Sequence, residues 1–418
     1  FVRLIELLRQ AKQAGASRQE FILQAARSIP AVYAPQYYRP AYNDDGTLKQ
    51  LRLVEEGLPN RIKRARIARL SNSPDLANRL VPLTEAVHDR IAIEIMRGCP
   101  HSCRFCQAGA TRKPVRCRSV NEIIDIARRA VKATGYHEIS LLSLSSSDYP
   151  RFKELVERLS DEFTHQNISI SLPSLRVDKQ LEIIPLMTSQ VRKSGLTIAA
   201  EAGSERLRRA INKNITEQEM LNGVRAAWKM GWRHVKVYFM AGLPGEKDED
   251  IDAIFELCQR LSQTRMEVDS HRGNITAAVS WFVPRPHTPM QWSAMQQAEY
   301  FWSVRQRLKK LSRRTATQFK FHRIERSILE GVLARGDRRL ADVIETAWKQ
   351  GARFDAWNEY FDYEKWQYAF EKTGVNPYFY AHRQRSTDEL LPWDHIESGC
   401  PRKKLLQEWK KLIQAIGQ

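Results

Sequence analysis

Residues 91–106 read Ile91-Ala92-Ile93-Glu94-Ile95-Met96-Arg97-Gly98-Cys99-Pro100-His101-Ser102-Cys103-Arg104-Phe105-Cys106, and this stretch decides the fold. It opens with apolar residues at alternate positions, a period of two that predicts a β-strand. It breaks at Gly98, and three cysteines follow with three and then two residues between them. Thiolates are soft ligands, and this spacing lets one loop surround one metal centre. The stretch therefore predicts a metal site directly after a strand.

Three cysteines leave the predicted site one ligand short of a closed centre, whether four-cysteine iron–sulfur or tetrahedral zinc. An open coordination position is what a catalytic metal needs. A structural zinc loop completed by His101 or Cys117 is the alternative that the same spacing allows. A disulfide is disfavoured, because no secretory leader is recognised and closely spaced cysteines in a long chain are typical of metal ligands. We therefore expect a cytoplasmic protein.

The charge balance leaves two interpretations open. The 418 residues include 67 Lys and Arg against 48 Asp and Glu, a formal net charge of +19. This favours a polyanionic partner such as RNA, or an anionic substrate, but a basic solvated surface explains the charge equally well. No apolar run approaches the ~20 residues that span a bilayer, so no membrane partner is expected.

Residues 1–85 are predicted to form an N-terminal helical and extended connector. Two short helices are separated by Gly15, and Ser17 with Glu20 forms a capping box for the second helix. A segment rich in Pro and Tyr at 29–40 indicates an extended stretch over a surface. The first residues already resemble a helix in progress, so we expect that an upstream segment precedes Phe1.

From Ile91 onward, strand and helix patterns alternate. Ser119 and Gly135 mark the ends of the first helix, with a capping box to Glu122. Further strands are predicted at 139–144, 168–172, 196–200, 234–240 and 275–283. Such alternation predicts a parallel sheet with right-handed crossovers. Polar segments rich in Gly and Pro follow the strands, and in parallel α/β barrels the active site lies at that carboxyl rim.

The pattern changes near residue 290. We predict a core domain at 86–290 and a C-terminal helical and aromatic subdomain at 291–418. Within the latter, 290–350 is expected to be helical and 353–400 to be aromatic and irregular. We expect this subdomain to close over the barrel mouth, and a partner surface is the alternative.

The cysteine spacing, with Phe105 before the last cysteine, and the strand–helix series together resemble the radical SAM superfamily. The resemblance implies an α/β fold, a partial (β/α)6 TIM-like barrel. It also implies a four-iron, four-sulfur cluster held by Cys99, Cys103 and Cys106, with one open iron that chelates S-adenosylmethionine (SAM).

The resemblance also assigns cofactor contacts to the strand ends. Residues 146–148 stand where the family carries a Gly-Gly-Glu-like contact to the SAM amine, and they depart from that pattern. Glu201 and Ser204 match a contact to ribose or the amino acid part, and the turn with Gly242 and Pro244 matches a segment beside adenine. The expected cofactor-binding residues are Phe105, Ser146, Ser147, Asp148, Ser174, Arg176, Glu201, Ser204, Gly242, Pro244 and Val283.

Segments 32–35, 282–292 and 391–396 resemble a narrower, uncharacterised group of radical SAM proteins that carry an upstream cobalamin-binding-like domain. No Asp-x-His-x-x-Gly motif occurs here, so cobalamin is expected only with the upstream domain. The implied activity is reductive SAM cleavage to a 5′-deoxyadenosyl radical that modifies a C–H bond, by methylation or methylthiolation. The expected partners are an electron donor of the flavodoxin or ferredoxin type and an RNA or ribosomal substrate. A non-catalytic, basic RNA-binding protein with a zinc loop is the alternative.

His287 and Arg285 are predicted to be catalytic. They lie in a Pro-rich segment just past the sixth predicted strand, where three prolines fix the backbone. A rigid loop there holds a side chain at the barrel mouth, and His is the side chain poised near neutral pH. The alternative is that His287 only hydrogen-bonds to backbone.

Overall fold

The computed structural model describes residues 1–75, 77–84, 86, 88–172 and 196–417. The strands are β1 (Tyr38–Tyr42), β2 (Leu48–Leu53), β3 (Ile62–Lys63), β4 (Ile91–Glu94), β5 (Met96–Arg97), β6 (Arg116–Cys117), β7 (Glu138–Leu142), β8 (Ser169–Ser171), β9 (Leu196–Glu201), β10 (His234–Ala241), β11 (Asn274–Trp281), β12 (Thr317–Phe321) and β13 (Ile396–Glu397). The helices are α1 (Val2–Gln13), α2 (Arg18–Ser28), α3 (Gln107–Thr111), α4 (Val120–Thr134), α5 (Phe152–Phe163), α6 (Glu205–Ala210), α7 (Glu217–Lys229), α8 (Asp248–Gln263), α9 (Met266–Asp269), α10 (Ala298–Leu311), α11 (Ile324–Arg335), α12 (Leu340–Lys349), α13 (Tyr363–Thr373), α14 (Pro377–Ala381) and α15 (Arg402–Ile416).

The N-terminal helices form as predicted, and Ser17 and Glu20 complete the capping box of α2. The segment rich in Pro and Tyr was expected to be extended. Its end is extended, as the start of β1 in the antiparallel hairpin β1–β2, but Pro35–Tyr37 before it form a 3-10 turn. Tyr38 anchors this hairpin, because its buried hydroxyl donates to Pro59 O at 2.8 Å.

The first parallel sheet has the order β4-β7-β8. Ile91 pairs with Ile139, and Ile139 pairs with Ile170, so the alternating apolar residues stack into one buried layer. Helix α4 begins at Ser119, whose side chain accepts from Glu122 N, and it ends at the left-handed Gly135. The second hydrogen bond of the predicted capping box, from Ser119 N to the Glu122 side chain, is wrong, because the Glu122 carboxylate pairs with Arg118 instead.

The second parallel sheet has the order β9-β10-β11-β12. Within β10 the residues at alternate positions are buried, from Val235 to Ala241, and they pack against the helices. Strand β12 lies in the stretch that was expected to be helical, so that expectation is wrong. Phe319 and Phe321 pack against the core while Gln318 and Lys320 are exposed, a period of two that only five residues display.

The C-terminal helix α15 packs on the segments that follow the strands of the second sheet. A buried cluster joins Leu243 after β10, Phe282 after β11, and Trp292 to Leu405 and Trp409 of α15. Helix α15 therefore lies across the carboxyl side of this sheet. None of the helices in the described ranges is long and apolar enough to cross a bilayer.

Candidate active site at the carboxyl ends of the strands

The three cysteines lie on a loop that the sequence turns sharply after β5. Gly98 adopts a φ of 99°, and a Cβ there would approach Arg112 O to 2.8 Å, so only glycine fits. At the other end, Cys106 caps α3, and its Sγ accepts from Gly109 N at 3.2 Å. The loop thus begins at a glycine and ends at a helix start.

The contacts that anchor this loop come from residues far along the chain. Arg104 is buried, its backbone N donates to Ile211 O at 2.9 Å, and its side chain donates to Ala210 O. Its Nε also donates to Glu408 on α15 at 3.1 Å. Asn212 donates to Ser102 O at 2.8 Å. The loop is therefore clamped by the α6–α7 connection and by α15, which sequence reasoning missed.

The three thiols share one electrostatic environment. Burial raises the pKa of Cys103 to about 11, the nearby Lys213 ammonium opposes that rise, and Cys106 and Cys99 add to it. The thiol of Cys103 is thus influenced by the charges of the other two cysteines on the same loop. Across the described ranges, no three Cys, His, Asp or Glu side chains converge on one metal-binding point. The sulfurs thus share a loop rather than a preformed cage.

Glu201 ends β9 beside the cysteine loop, since its charge and that of Lys213 both affect Cys103. Lys213 Nζ lies 3.4 Å from Glu201 Oε1, and the Glu201 side chain is 16% exposed. Burial raises the pKa of Glu201, and the Lys213 charge opposes this. Glu201 has a φ of 69°, a strained backbone for a non-glycine residue. The sequence pointed to Glu201 and missed Lys213.

Asp148 joins the cysteine loop to the end of β7. Its Oδ2 lies 2.7 Å from His101 Nε2 and accepts from the Ser145 hydroxyl at 2.5 Å. Ser146 and Ser147 are buried beside it, and the hydroxyls of Ser146 and Ser143 lie 2.9 Å apart. His101, considered above only as a zinc ligand, thus positions this carboxylate.

The turn after β10 is built around Gly242. Its N donates to Glu246 Oε1 at 2.6 Å, and the Tyr300 hydroxyl donates to the same oxygen at 2.5 Å. Pro244 is half-buried on this turn. Burial raises the pKa of Glu246 to about 7. The sequence indicated the turn but not the carboxyl that holds it.

Three other predicted contact residues have structural partners. Ser204 caps α6 by accepting from Leu207 N at 3.2 Å, and its hydroxyl donates to Asp250. Val283 packs against the core after β11. Phe105 packs against the cluster around α15. Ser174 and Arg176 lie outside the described residues, and the cofactor roles of all these residues stay predictions.

The two residues predicted to be catalytic point to different places. Arg285 forms an ion pair with Glu330 on α11. His287 has a φ of 61°, its N donates to Gln291 Oε1 at 2.9 Å, and it lines a cavity. Burial lowers the pKa of His287 to about 4, so the imidazole is neutral at pH 7. Gln107 of α3 donates to Pro286 O at 3.1 Å, which ties this segment to the cysteine loop.

The remaining cysteines lie in other surroundings. Cys117 packs against the core of the first sheet, and Cys258 is buried on α8. Cys400 lines the same cavity as His287. His101 is engaged by Asp148, so neither of the two residues considered as a fourth zinc ligand joins the three cysteines. The zinc-loop alternative lacks support.

Comparison with known proteins identifies the domain. Residues 93–258 match the model of the radical SAM superfamily. A stretch of 286 residues is 31% identical to the uncharacterized protein MJ0966 of Methanocaldococcus jannaschii, covering 68% of this chain and 60% of that protein. A stretch of 187 residues is 27% identical to the ribosomal protein uS12 methylthiotransferase RimO of Pseudomonas aeruginosa, covering 39% of this chain and 40% of that protein.

Among solved structures, the radical S-adenosylmethionine methyltransferase TsrM from Kitasatospora setae aligns over 48% of this chain and 38% of its own, with a TM-score of 0.36 and 15% identity. The chain spans less than two thirds of the length of each of these proteins.

The donor set fits the cluster that this superfamily uses. Cys99, Cys103 and Cys106 each carry a partly exposed thiol on one loop. Three thiolates leave one iron of a four-iron, four-sulfur cluster open for SAM. Residues 93–258 of this chain are therefore a radical SAM domain.

Proposed function

We propose that this chain carries a radical SAM activity that modifies a C–H bond of its substrate by methylation or methylthiolation. One observation carries the proposal. The cysteine loop meets the carboxyl ends of two separate strands, through Glu201 and Lys213 beside Cys103 and through His101 on Asp148. A structural metal loop needs no such charged neighbours. The similarity to a methylthiotransferase supports the type of outcome.

The chain's own residues have distinct roles in this proposal. Cys99, Cys103 and Cys106 hold the cluster, which when bound supplies an electron that cleaves SAM to methionine and a 5′-deoxyadenosyl radical. The Lys213 ammonium favours the thiolate of Cys103, which burial alone disfavours. The Asp148 carboxylate accepts hydrogen bonds from the SAM ammonium while His101 fixes its orientation.

Glu201 and the Gly242 turn complete the proposed SAM site. Glu201 is held by Lys213 at the end of β9 and offers an acceptor to the ribose or the amino acid part. Gly242 leaves room for the Phe301 ring, which lies 2.7 Å from where a Cβ would be, and we assign the backbone of this turn to the adenine. The protein thereby orients SAM and excludes side reactions, which is what an enzyme contributes to cofactor chemistry.

The proposed substrate is RNA or a ribosomal component. The formal charge of +19 favours a polyanion. We further propose that the protein works in the reducing cytoplasm with an electron donor of the flavodoxin or ferredoxin type. Cobalamin dependence is proposed only for a chain that carries an upstream cobalamin-binding-like domain.

Anaerobic reconstitution with iron and sulfide tests the activity. The wild-type chain should bind iron and acid-labile sulfide, and with a reductant it should convert SAM to methionine and 5′-deoxyadenosine. Cys103→Ala should lose both the cluster and the cleavage. Cys117→Ala is the matched control and should retain both, since Cys117 packs against the core of the first sheet. A preparation that binds zinc alone, or equal loss in both variants, would overturn the proposal.

A further inference from the structure

A cavity lies between the N-terminal hairpin and the C-terminal part of the chain. Its volume is ≈ 610 Å³, within the range of roughly 300–1,000 Å³ that is typical of ligand sites. Strand β2, the segment around His287, and residues 390–405 supply its walls. The short parallel pair β3–β13 joins two of these walls, with Ile62 N donating to His395 O at 2.8 Å.

Gln291 places a fixed hydrogen-bond donor at this cavity. Its Oε1 accepts from His287 N at 2.9 Å and from Trp393 Nε1 at 2.8 Å, which sets the orientation of the amide. The residue is 2% exposed, yet its amide nitrogen donates to no residue within the described part of the chain. Because Gln291 lines the cavity and its oxygen is fixed, a ligand acceptor in the cavity would find an oriented N–H donor there.

The charges of the cavity exclude an anionic ligand from its interior. Arg402 pairs with Asp394 and donates to Thr387 O at 2.7 Å and Glu389 O at 2.9 Å, so its guanidinium is already engaged. Burial lowers the pKa of His287 to about 4, and it lowers the pKa of His395 from its usual value, which favours the neutral form of both imidazoles. Arg61 is exposed at the rim.

The walls suit a flat ring. On one side, the rings of His395 and Tyr38 both line the cavity, with their centroids 6.1 Å apart. The other lining residues include the aliphatic side chains Leu51, Leu53, Leu390 and Leu405. Rings stack on aromatic and aliphatic faces without regard to sequence, and base edges carry both donors and acceptors.

The cavity also adjoins the cysteine loop. Gln107 of α3 donates to the carbonyl of Pro286, next to His287. On the opposite wall, a Cβ on Gly399 would lie 3.9 Å from Lys113 O, and Lys113 Nζ donates to Ser102 Oγ at 2.8 Å. Two walls of the cavity are therefore connected to the cysteine loop and its neighbour α3, one through Pro286 and Gln107 and the other through Gly399 and Lys113.

We propose that this cavity binds a nucleobase that bears a ring carbonyl, with Gln291 donating to the carbonyl and His287 contacting the neighbouring position of the ring. The proposal rests on the proposed function and specifies its substrate class as RNA. The exposed Arg61 then lies where the phosphate backbone leaves the cavity.

Saturation-transfer NMR with cytidine, uridine and guanosine, each added to the reconstituted chain, tests the proposal. At least one should give a signal that Gln291→Glu lowers fivefold or more, because Glu keeps the two accepted hydrogen bonds and loses the donor. Gln263→Glu, on an exposed residue of α8, is the matched control. Leu51→Trp should also remove the signal by filling the cavity, whereas Leu83→Trp on the surface should not.

Two results would overturn the proposal: no signal from any of the three nucleosides, or a signal that survives both cavity variants. A signal from N-acetylasparagine amide alone would also overturn it, in favour of a peptide substrate. SAM cleavage measured on the same preparations reports on the radical SAM activity separately, so failure of the base site and failure of the enzyme are distinguished.

Discussion

Replacing Glu246 with Gln tests the carboxyl that holds the turn after β10. Gly242 N and the Tyr300 hydroxyl both donate to Glu246 Oε1. Burial nevertheless raises the pKa of Glu246 from 4.5 to about 7, because desolvation outweighs the stabilisation that these donors give. Gln keeps the shape of the side chain and an oxygen acceptor for both donors, and it removes the charge.

The sign of the pH effect follows from the direction of this shift. The difference between about 7 and 4.5 corresponds, at about 1.36 kcal/mol for each pH unit, to roughly 3 kcal/mol. Since the pKa of the folded state lies above that of the unfolded state, this stability is fully present below pH 4.5 and is lost as the pH rises through about 7. Ionised Glu246 therefore destabilises the fold in neutral and basic solution.

Urea unfolding at about pH 5 and about pH 8, followed by circular dichroism, measures the effect. We expect the difference in unfolding free energy between Glu246→Gln and wild type to grow by roughly 3 kcal/mol in favour of the variant between these conditions. Glu249→Gln, on an exposed residue of α8, is the control and should follow wild type. If wild type and Glu246→Gln lose stability in parallel, the Glu246 carboxyl is not the source of the pH dependence.

Three further predictions concern residues at the carboxyl ends of the strands. Gly242→Ala places a Cβ 2.7 Å from the Phe301 ring at a φ of 93°, so it should cost roughly 2–4 kcal/mol in urea unfolding; an unchanged midpoint would contradict this. Asp148→Asn and Glu201→Gln should keep the iron content and weaken SAM binding about tenfold, since each removes a charged acceptor; paramagnetic resonance of the reduced cluster during SAM titration measures this, and unchanged affinity in both would remove them from the site. His287→Gln should leave SAM cleavage without substrate unchanged and lower turnover with substrate; loss of the cluster would instead show a structural role.

Sequence patterns predicted the features that depend on the spacing of residues close together in the chain. Burial of every second residue of β10 and the helical stripe of α4 repeat over five residues or more, and they depend on the sheet and helix geometry alone. The cysteine loop is local too, because its ligands lie within eight residues of one another along the chain. The parallel order then follows from the alternation of strands and helices.

The features that sequence patterns missed depend on short elements or on distant partners. Strand β12 shows its period over only five residues and gains stability by pairing with β11, so the helical residues around it dominated the prediction. Lys213 approaches Cys103 because the α6–α7 connection folds over the loop. No spacing rule links residues 110 positions apart.

The same difference between local and distant signals distinguishes cofactor binding from substrate binding. Cofactor binding can be predicted from the sequence, because the cysteines that hold a metal cluster lie on one loop. The proposed substrate site cannot be read from the sequence. Its cavity is lined by His287, Gln291, β2 and residues 390–405, which meet only in the folded chain. The amide nitrogen of Gln291, which donates to none of the described residues, can be recognised only once Trp393 and His287 have fixed the amide oxygen. Under the proposal that this cavity binds a nucleobase, the chemistry of the substrate is determined by the cavity and not by the cysteine motif.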